Sequence, residues 1–257
     1  MDQADVAEVP ALLTGDSVAA ADRPLITYYD DATGERTVLT ASALAGWAAR
    51  TAGLLHEGCG LGIGSRTAVL LPAHWQSAAV LLGAWSAGLA VSLRGAATAG
   101  LPVLGPGADD PLDVTFVARH RVDDWLEDVP DAPHRFVLGF APGTAATPDV
   151  PDGYRDYITE VQRYPDSLPA YAPIHRDGAA TVDGTSYQEW GRLAQALAVK
   201  WDLHGGDRLL VDAAEHEHPV KWLLAPLAVG ASVVLCANLD PGAVAGRIAA
   251  EEITRVL

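Results

Sequence analysis

The sequence predicts an α/β protein built as two related halves, each a mostly parallel β-α-β arrangement covered by helices. Three observations carry that expectation. The order helix, strand, helix, strand occurs twice along the chain; particular residues recur between the two occurrences at one constant spacing; and 257 residues with 49% hydrophobic content are enough to bury a substantial core. The first half is expected at residues 1–105 and the second at 179–257, joined by an irregular region of short strands and helices at 106–178.

In the first half, Leu44, Trp47, Ala48, Thr51, Ala52 and Leu55 recur at helical spacing, with Thr40 or Ser42 placed to cap the helix and Gly58 to end it. The stretch 67–93 then holds no Asp, Glu, Lys or Arg and is long enough to span a bilayer. Pro72, His74, Trp75, Gln76 and Ser77 interrupt it, so it reads as a strand at 68–71, a helix of about a dozen residues closed by Gly88, and a buried strand at 89–93. The second half repeats this with a helix at 186–201, a strand at 208–212, a helix at 219–229 and a strand at 231–236. Leu61 and Leu203, Gly64 and Gly206, Arg66 and Arg208, His74 and His216, and Gly88 and Gly230 are all 142 residues apart (208 − 66).

Between the halves, 113–118 and 135–140 read as strands, and 122–126 and 154–164 as short helices. The segment 164–173, with three prolines, reads as an extended connection. Asp240-Pro241 is expected to open a helix running to about 252, and 253–257 has strand character.

Acidic residues outnumber basic ones, 33 to 17, and the net charge of −16 argues against nucleic acid or an anionic membrane as a partner. Cys59 and Cys236 make no disulfide framework, and residues 1–10 lack the basic and apolar regions of a signal peptide, so a cytoplasmic location is expected. No nucleophile elbow, dinucleotide fingerprint or Walker sequence occurs.

The order and the residues together resemble the large domain of adenylate-forming enzymes: acyl-CoA synthetases, luciferases and the adenylation domains of peptide synthetases. The family run G-x-G-x-R-V-A-x-x-x-P-N-x-x-x-W is similar to Gly62-Ile63-Gly64-Ser65-Arg66-Thr67-Ala68-Val69-Leu70-Leu71-Pro72-Ala73-His74-Trp75, followed by Ala87-Gly88. The later stretch from G-D-R-x-L to P-L-x-x-G-A-x-V-V-L is matched by Gly206-Asp207-Arg208-Leu209-Leu210 and by Pro226-Leu227-Ala228-Val229-Gly230-Ala231-Ser232-Val233-Val234-Leu235. Asp240-Pro241 and Ile253-Thr254-Arg255-Val256-Leu257 resemble the helix and strand that follow.

The resemblance implies a phosphate-wrapping loop ending in Pro-Lys-Gly. At its place stands Ala180-Thr181-Val182-Asp183-Gly184-Thr185-Ser186, which has no Pro-Lys-Gly and adds the negative charge of Asp183, while Ser186 to Glu189 reads as a capping box, S-x-x-E. The only lysines, Lys200 and Lys221, lie outside the family's lysine motifs, and its later adenine, metal and ribose motifs and C-terminal domain have no match in this sequence. These departures lead to the expectation of a truncated, degenerate relative that does not catalyse ATP-dependent acyl activation and needs no cofactor or metal. The resemblance places His216 at an acyl-pocket position. The ligand-binding candidates are His216, His218, Asp183, Gly184 and Thr185, with a small acyl or apolar molecule as the ligand. The alternatives are a structural or regulatory protein that acts as a homodimer or with a protein partner, and half of a split acyl-activating enzyme completed by another chain. His216-Glu217-His218 offers two metal ligands but no visible third. His74 reads as a packing or capping residue, Trp47, Trp75, Trp85, Trp190 and Trp222 as core, and Asp123, Asp124, Glu127 and Asp128 as a solvated acidic face.

Overall fold

A computed structural model describes residues 23–101, 105–167 and 173–257. The reading of the N-terminal ten residues and part of the proline-rich 164–173 connection lie outside these described residues. The described residues form two compact units: residues 23–44, 73–78 and 187–257 make one, and residues 45–72, 79–101, 105–167 and 173–186 the other.

The first unit is built on a five-stranded sheet in the order β10-β8-β9-β1-β2. Strands β8 (Arg208–Asp212), β9 (Ser232–Ala237) and β10 (Arg255–Val256) are parallel. β1 (Pro24–Asp30) adds to β9 in parallel and turns back as an antiparallel hairpin into β2 (Glu35–Thr40). Its turn is drawn tight by Asp30, whose carbonyl accepts from the Gly34 N–H at 2.8 Å and whose carboxylate accepts from Ala32 at 2.9 Å. The second unit carries the order β4-β3-β5-β6-β7, parallel throughout, from β3 (Arg66–Leu70), β4 (Ala90–Leu93), β5 (Val114–Ala118), β6 (His134–Leu138) and β7 (Arg155–Asp156). The protein is therefore a mixed α/β protein with two mostly parallel sheets.

Helix α1 (Ala41–Gly53) starts where Thr40 Oγ1 accepts from the Ala43 N–H at 3.2 Å, and it runs on into a π-helical turn, Leu54–Gly58. The uncharged stretch 67–93 resolves into β3, helix α2 (Trp75–Ser86) and β4, with Trp75 and Trp85 fully buried. Among the described residues no helix is long and apolar enough to cross a membrane.

The sequence repeat is a structural repeat. Arg66 faces Ala90 as Arg208 faces Ser232, and the following pairs along β3–β4 and β8–β9 keep the same 142-residue offset. The Ala90 N–H donates to Ser65 at 2.9 Å and the Ser232 N–H to Asp207 at 2.8 Å. Gly88 and Gly230 both close their helices in left-handed backbone, at φ 85° and 72°. In each half a strand, a helix and a parallel strand are thus held by the same backbone bonds at the same positions.

Three expected elements differ. The short helix expected at 122–126 lies earlier, as α3 (Arg119–Val122), because the Asp124 carboxylate accepts from the Leu126 N–H at 3.0 Å and folds that stretch into a turn. The helix expected over 154–164 is confined to α4 (Tyr157–Val161), whose start is set by Asp156 accepting from Thr159 at 2.8 Å. Asp240 caps a turn rather than a helix, accepting from Gly242 at 2.9 Å, and the helix behind it, α7, spans only Val244–Ala250.

Buried charge is arranged differently in the two units. Glu251 in the first accepts from Tyr29, Arg36 and Arg208, at 2.5, 2.8 and 2.5 Å. Burial alone would raise its pKa, but these donors outweigh it and hold the carboxyl down at about 2. In the second unit Arg121 and Glu127 form an ion pair at 2.6 Å, both side chains 5% exposed, so Glu127 is not part of a solvated acidic face.

Candidate functional site

The loop at the place of the phosphate-wrapping motif lies in the second unit. Thr181 bridges to Val91 of β4, and Ala179 bridges to Ser186, making a narrow turn with Gly184 at φ 90° at its tip. The Asp183 carboxylate accepts from Thr181 Oγ1 at 2.6 Å and from the Thr185 N–H at 3.1 Å. The Gly184 N–H donates to the Thr181 carbonyl at 3.0 Å, and the Ala180 and Thr181 N–H groups donate to Thr185. Hydroxyl and amide donors are the groups with which such a loop would hold an anion. Here they are taken by the loop's own carboxylate and carbonyls. The Thr181 hydrogen bond is the main reason the Asp183 carboxyl stays below the usual carboxylate range, so it is ionised at neutral pH. Helix α5 (Tyr187–Lys200) begins directly after this turn, with Glu189 in its first turn.

His216 and His218 lie in the first unit, between β8 and a π-helical turn, Val220–Leu224, that leads into α6 (Ala225–Val229). The sequence offset pairs His216 with His74, but the geometry pairs His74 with His218. His74 Nδ1 accepts from the Gln76 N–H at 3.0 Å, and His218 Nδ1 accepts from the Val220 N–H at 3.3 Å, each ring capping the helix two residues on. The second loop, 213–219, is longer than the first, 71–74, and its helical segment, 220–229, is shorter than α2, so the register returns at Gly230. His218 also stacks on Trp190 of α5, with ring centroids 5.5 Å apart and planes at 11°. Both its capping nitrogen and its ring face are thus engaged.

That shift releases His216 from a capping role. Its backbone N–H donates to Asp212 at 3.1 Å, while its Nδ1 is buried and has no hydrogen-bond partner among the described residues. Burial first, and the Lys221 ammonium second, lower its pKa against the opposing pull of Asp212 and Glu215, which keeps the imidazole neutral at neutral pH. A neutral ring with one nitrogen unused offers a single donor or acceptor to an uncharged polar group, set by its tautomer. His74, in contrast, is 2% exposed and packs edge-on against Tyr28 at 4.2 Å. Its pKa falls to about 3 through desolvation.

The five candidate residues divide between the units, His216 and His218 in one and Asp183, Gly184 and Thr185 in the other. Trp75, Trp85, Trp190 and Trp222 are buried as expected, and Trp47 is half-buried. Among the described residues no group of three or more His, Cys, Asp and Glu side chains is placed to hold a metal ion. Sequence reasoning missed Arg94, just past the carboxyl end of β4, which lines a cavity of ≈ 550 Å³ in the second unit. Its only sequence signal is a lone arginine ending an uncharged run of 27 residues, 67–93.

Comparison with known proteins places these features in context. No protein-family model matches the chain. It is 39% identical over 239 residues to a "TIGR03089 family protein" of Mycobacterium tuberculosis (strain ATCC 25618 / H37Rv), covering 91% of each chain. Among solved structures it is similar to the anthranilate CoA ligase AuaEII in complex with anthranoyl-AMP, at TM-score 0.67 and 17% identity over 97% of this chain and 48% of that one. It is also similar to acetoacetyl-CoA synthetase from Streptomyces lividans (TM-score 0.69, 18% identity, 91% of this chain and 39% of that one). A fatty acyl CoA synthetase of Mycobacterium tuberculosis gives TM-score 0.67 and 15% identity, with 97% and 48% covered. The chain thus has the fold of the large domain of adenylate-forming enzymes and spans about half or less of these three ligases.

Proposed function

The chain belongs to the TIGR03089 family, and we propose that it is a non-catalytic relative of the adenylate-forming enzymes that binds a small neutral acyl ligand at His216 without activating it. The observation that carries this reading is the Asp183 carboxylate, which takes the Thr181 hydroxyl and the Thr185 amide inside the loop where ATP phosphates would need them. A triphosphate must displace an ionised carboxylate and then meet its charge, and the chain's two lysines are not part of that loop. Adenylyl transfer depends on electrostatic stabilisation that this loop opposes.

Binding is assigned to the first unit. His216 presents one unused, buried ring nitrogen, and the neutral state of the ring favours an uncharged partner such as an ester, amide or thioester carbonyl. Trp190, with His218 stacked on it, keeps the neighbouring ring in place and leaves His216 as the polar contact.

Thermal shift with methyl hexanoate and with Mg-ATP tests both parts. A ligand held only by the folded state stabilises it by about 2.7 kcal/mol at a hundredfold excess over Kd. The ester is expected to raise the Tm of the native chain and leave His216→Ala unshifted, and Mg-ATP to shift neither. A rise with Mg-ATP overturns the non-catalytic reading; equal ester shifts for both chains overturn the assignment to His216; no ester shift at all favours the structural-partner alternative.

A further inference from the structure

The cavity beside β4 is lined by Leu93, Arg94, Thr98 and Leu101 on one stretch of chain, and by Asp109, Glu127 and Asp128 on others. It lies beyond the carboxyl end of a parallel strand, where open α/β sheets bind ligands, and it belongs to the unit that does not contain His216. At ≈ 550 Å³ it has room for a small organic molecule.

Arg94 is the unusual member of this lining. Among the described residues its side chain makes no hydrogen bond or ion pair, and its Nε is buried without a partner. Its backbone is nonetheless fixed: the Arg94 N–H donates to Val69 at 3.0 Å, and buried Arg121 donates to the Arg94 carbonyl at 2.8 Å and to that of Gly95 at 3.4 Å. Arg121 is in turn anchored by Glu127 through Nε at 2.7 Å. A guanidinium is thus held on a clamped backbone with its own donors unused, as a preorganised anion-binding group would be.

The remaining charges narrow the ligand. Glu127 is neutralised by Arg121, whereas Asp109 and Asp128 are exposed. One open guanidinium and two open carboxylates repel a dianion and give a plain monoanion little net attraction. A molecule carrying a carboxylate and an ammonium satisfies both signs, and Leu93 and Leu101 offer apolar surface to its side chain. We infer that this cavity is a binding site for a small zwitterionic amino acid with an apolar side chain, its carboxylate received by Arg94 and its ammonium by Asp109 and Asp128. The inference is independent of the reading given for His216.

Calorimetric titration of the full chain with L-leucine, isovalerate, isoamylamine and inorganic phosphate tests it. Leucine is expected to bind saturably, with isovalerate and isoamylamine about tenfold weaker or worse and phosphate weaker still. Arg94→Gln should abolish leucine binding at a little-changed Tm, since that side chain makes no hydrogen bond or ion pair among the described residues, and Arg94→Lys should retain weakened binding. Leucine binding that survives Arg94→Gln, isovalerate binding as tightly as leucine, phosphate binding more tightly than either, or no binding by any of the four overturns the inference.

Discussion

The segments β3–α2–β4 and β8–α6–β9 share strand register, helix-closing glycines and backbone bonds at one offset, yet their polar side chains are arranged differently. Arg66 reaches across an exposed loop to the carboxylate of Asp110 at 2.9 Å and to the Gly107 carbonyl. Arg208, at the equivalent strand position, is tied to buried Glu251 and to Thr27. His74 caps its helix in a sealed pocket, and His218 caps its helix beside solvent. The difference teaches that backbone geometry is what the repeat preserves, while each half has found its own charge partners. That independence is what allowed His216 to be released from capping.

The largest expected effect lies in the two arginines. Glu251→Ala leaves Arg208 without its carboxylate in a mostly buried network and should cost about 3–5 kcal/mol in a urea unfolding titration. The comparison breaks if that variant is as stable as the native chain.

Next comes pH. The folded pKa of His74, about 3, lies below the ordinary histidine value of 6.5, so the folded state binds fewer protons between them. Stability is therefore complete above about pH 6.5 and falls by up to ~1.4 kcal/mol per unit as the pH drops toward 3. Within that window Glu251 adds to the loss below its ordinary value of 4.5, because its folded pKa is also depressed. His74→Gln should remove most of the loss between pH 4.5 and 6.5, whereas His218→Gln should remove a smaller part of it, because burial lowers the folded pKa of that ring as well. Tm measured across this range for the three chains checks the contrast.

Smaller again are the two helix-closing glycines. Gly88→Ala and Gly230→Ala each place a side chain in left-handed backbone and should each cost about 1–2 kcal/mol. Gly88→Ala should be the worse of a directly compared pair if its Cβ also presses on Ile63, whose Cα would lie 3.2 Å away. Smallest is Asp110→Ala: the carboxylate is 60% exposed, and its loss should cost about 0–1 kcal/mol. A loss as large as that of Glu251→Ala would mean that the two arginines are equivalent in energy as well as position.

The parallel skeleton was legible because it rests on patterns the sequence writes locally: apolar runs of strand length, Gly88 and Gly230 at helix ends, and the shared offset. The hairpin β1–β2 was not anticipated, although Ile26, Thr27, Tyr28 and Tyr29 are good strand formers, because its partner β9 lies some two hundred residues away. Asp124 and Asp156 moved helix boundaries through side-chain bonds that periodicity does not register. At the candidate sites, the negative charge of Asp183 was readable, but its consumption of Thr181 and Thr185 was not. The exchange of roles between His216 and His218 was hidden because a longer loop was offset by a shorter helical segment, leaving the overall spacing intact. Arg94 gains its significance only from the cavity around it and from Arg121, both products of tertiary packing.

The Asp183 carboxylate occupies the donors of the 180–186 loop that the proposed reading denies to ATP phosphates. Equilibrium binding of Mg-ATP to the native chain and to Asp183→Gly, with pyrophosphate exchange followed on the same samples, tests it most directly. The account predicts no measurable ATP binding and no exchange by the native chain, with weak ATP binding appearing in Asp183→Gly as the Thr181 hydroxyl and Thr185 amide are released. Tight ATP binding by the native chain, or exchange with any acyl substrate, would contradict it.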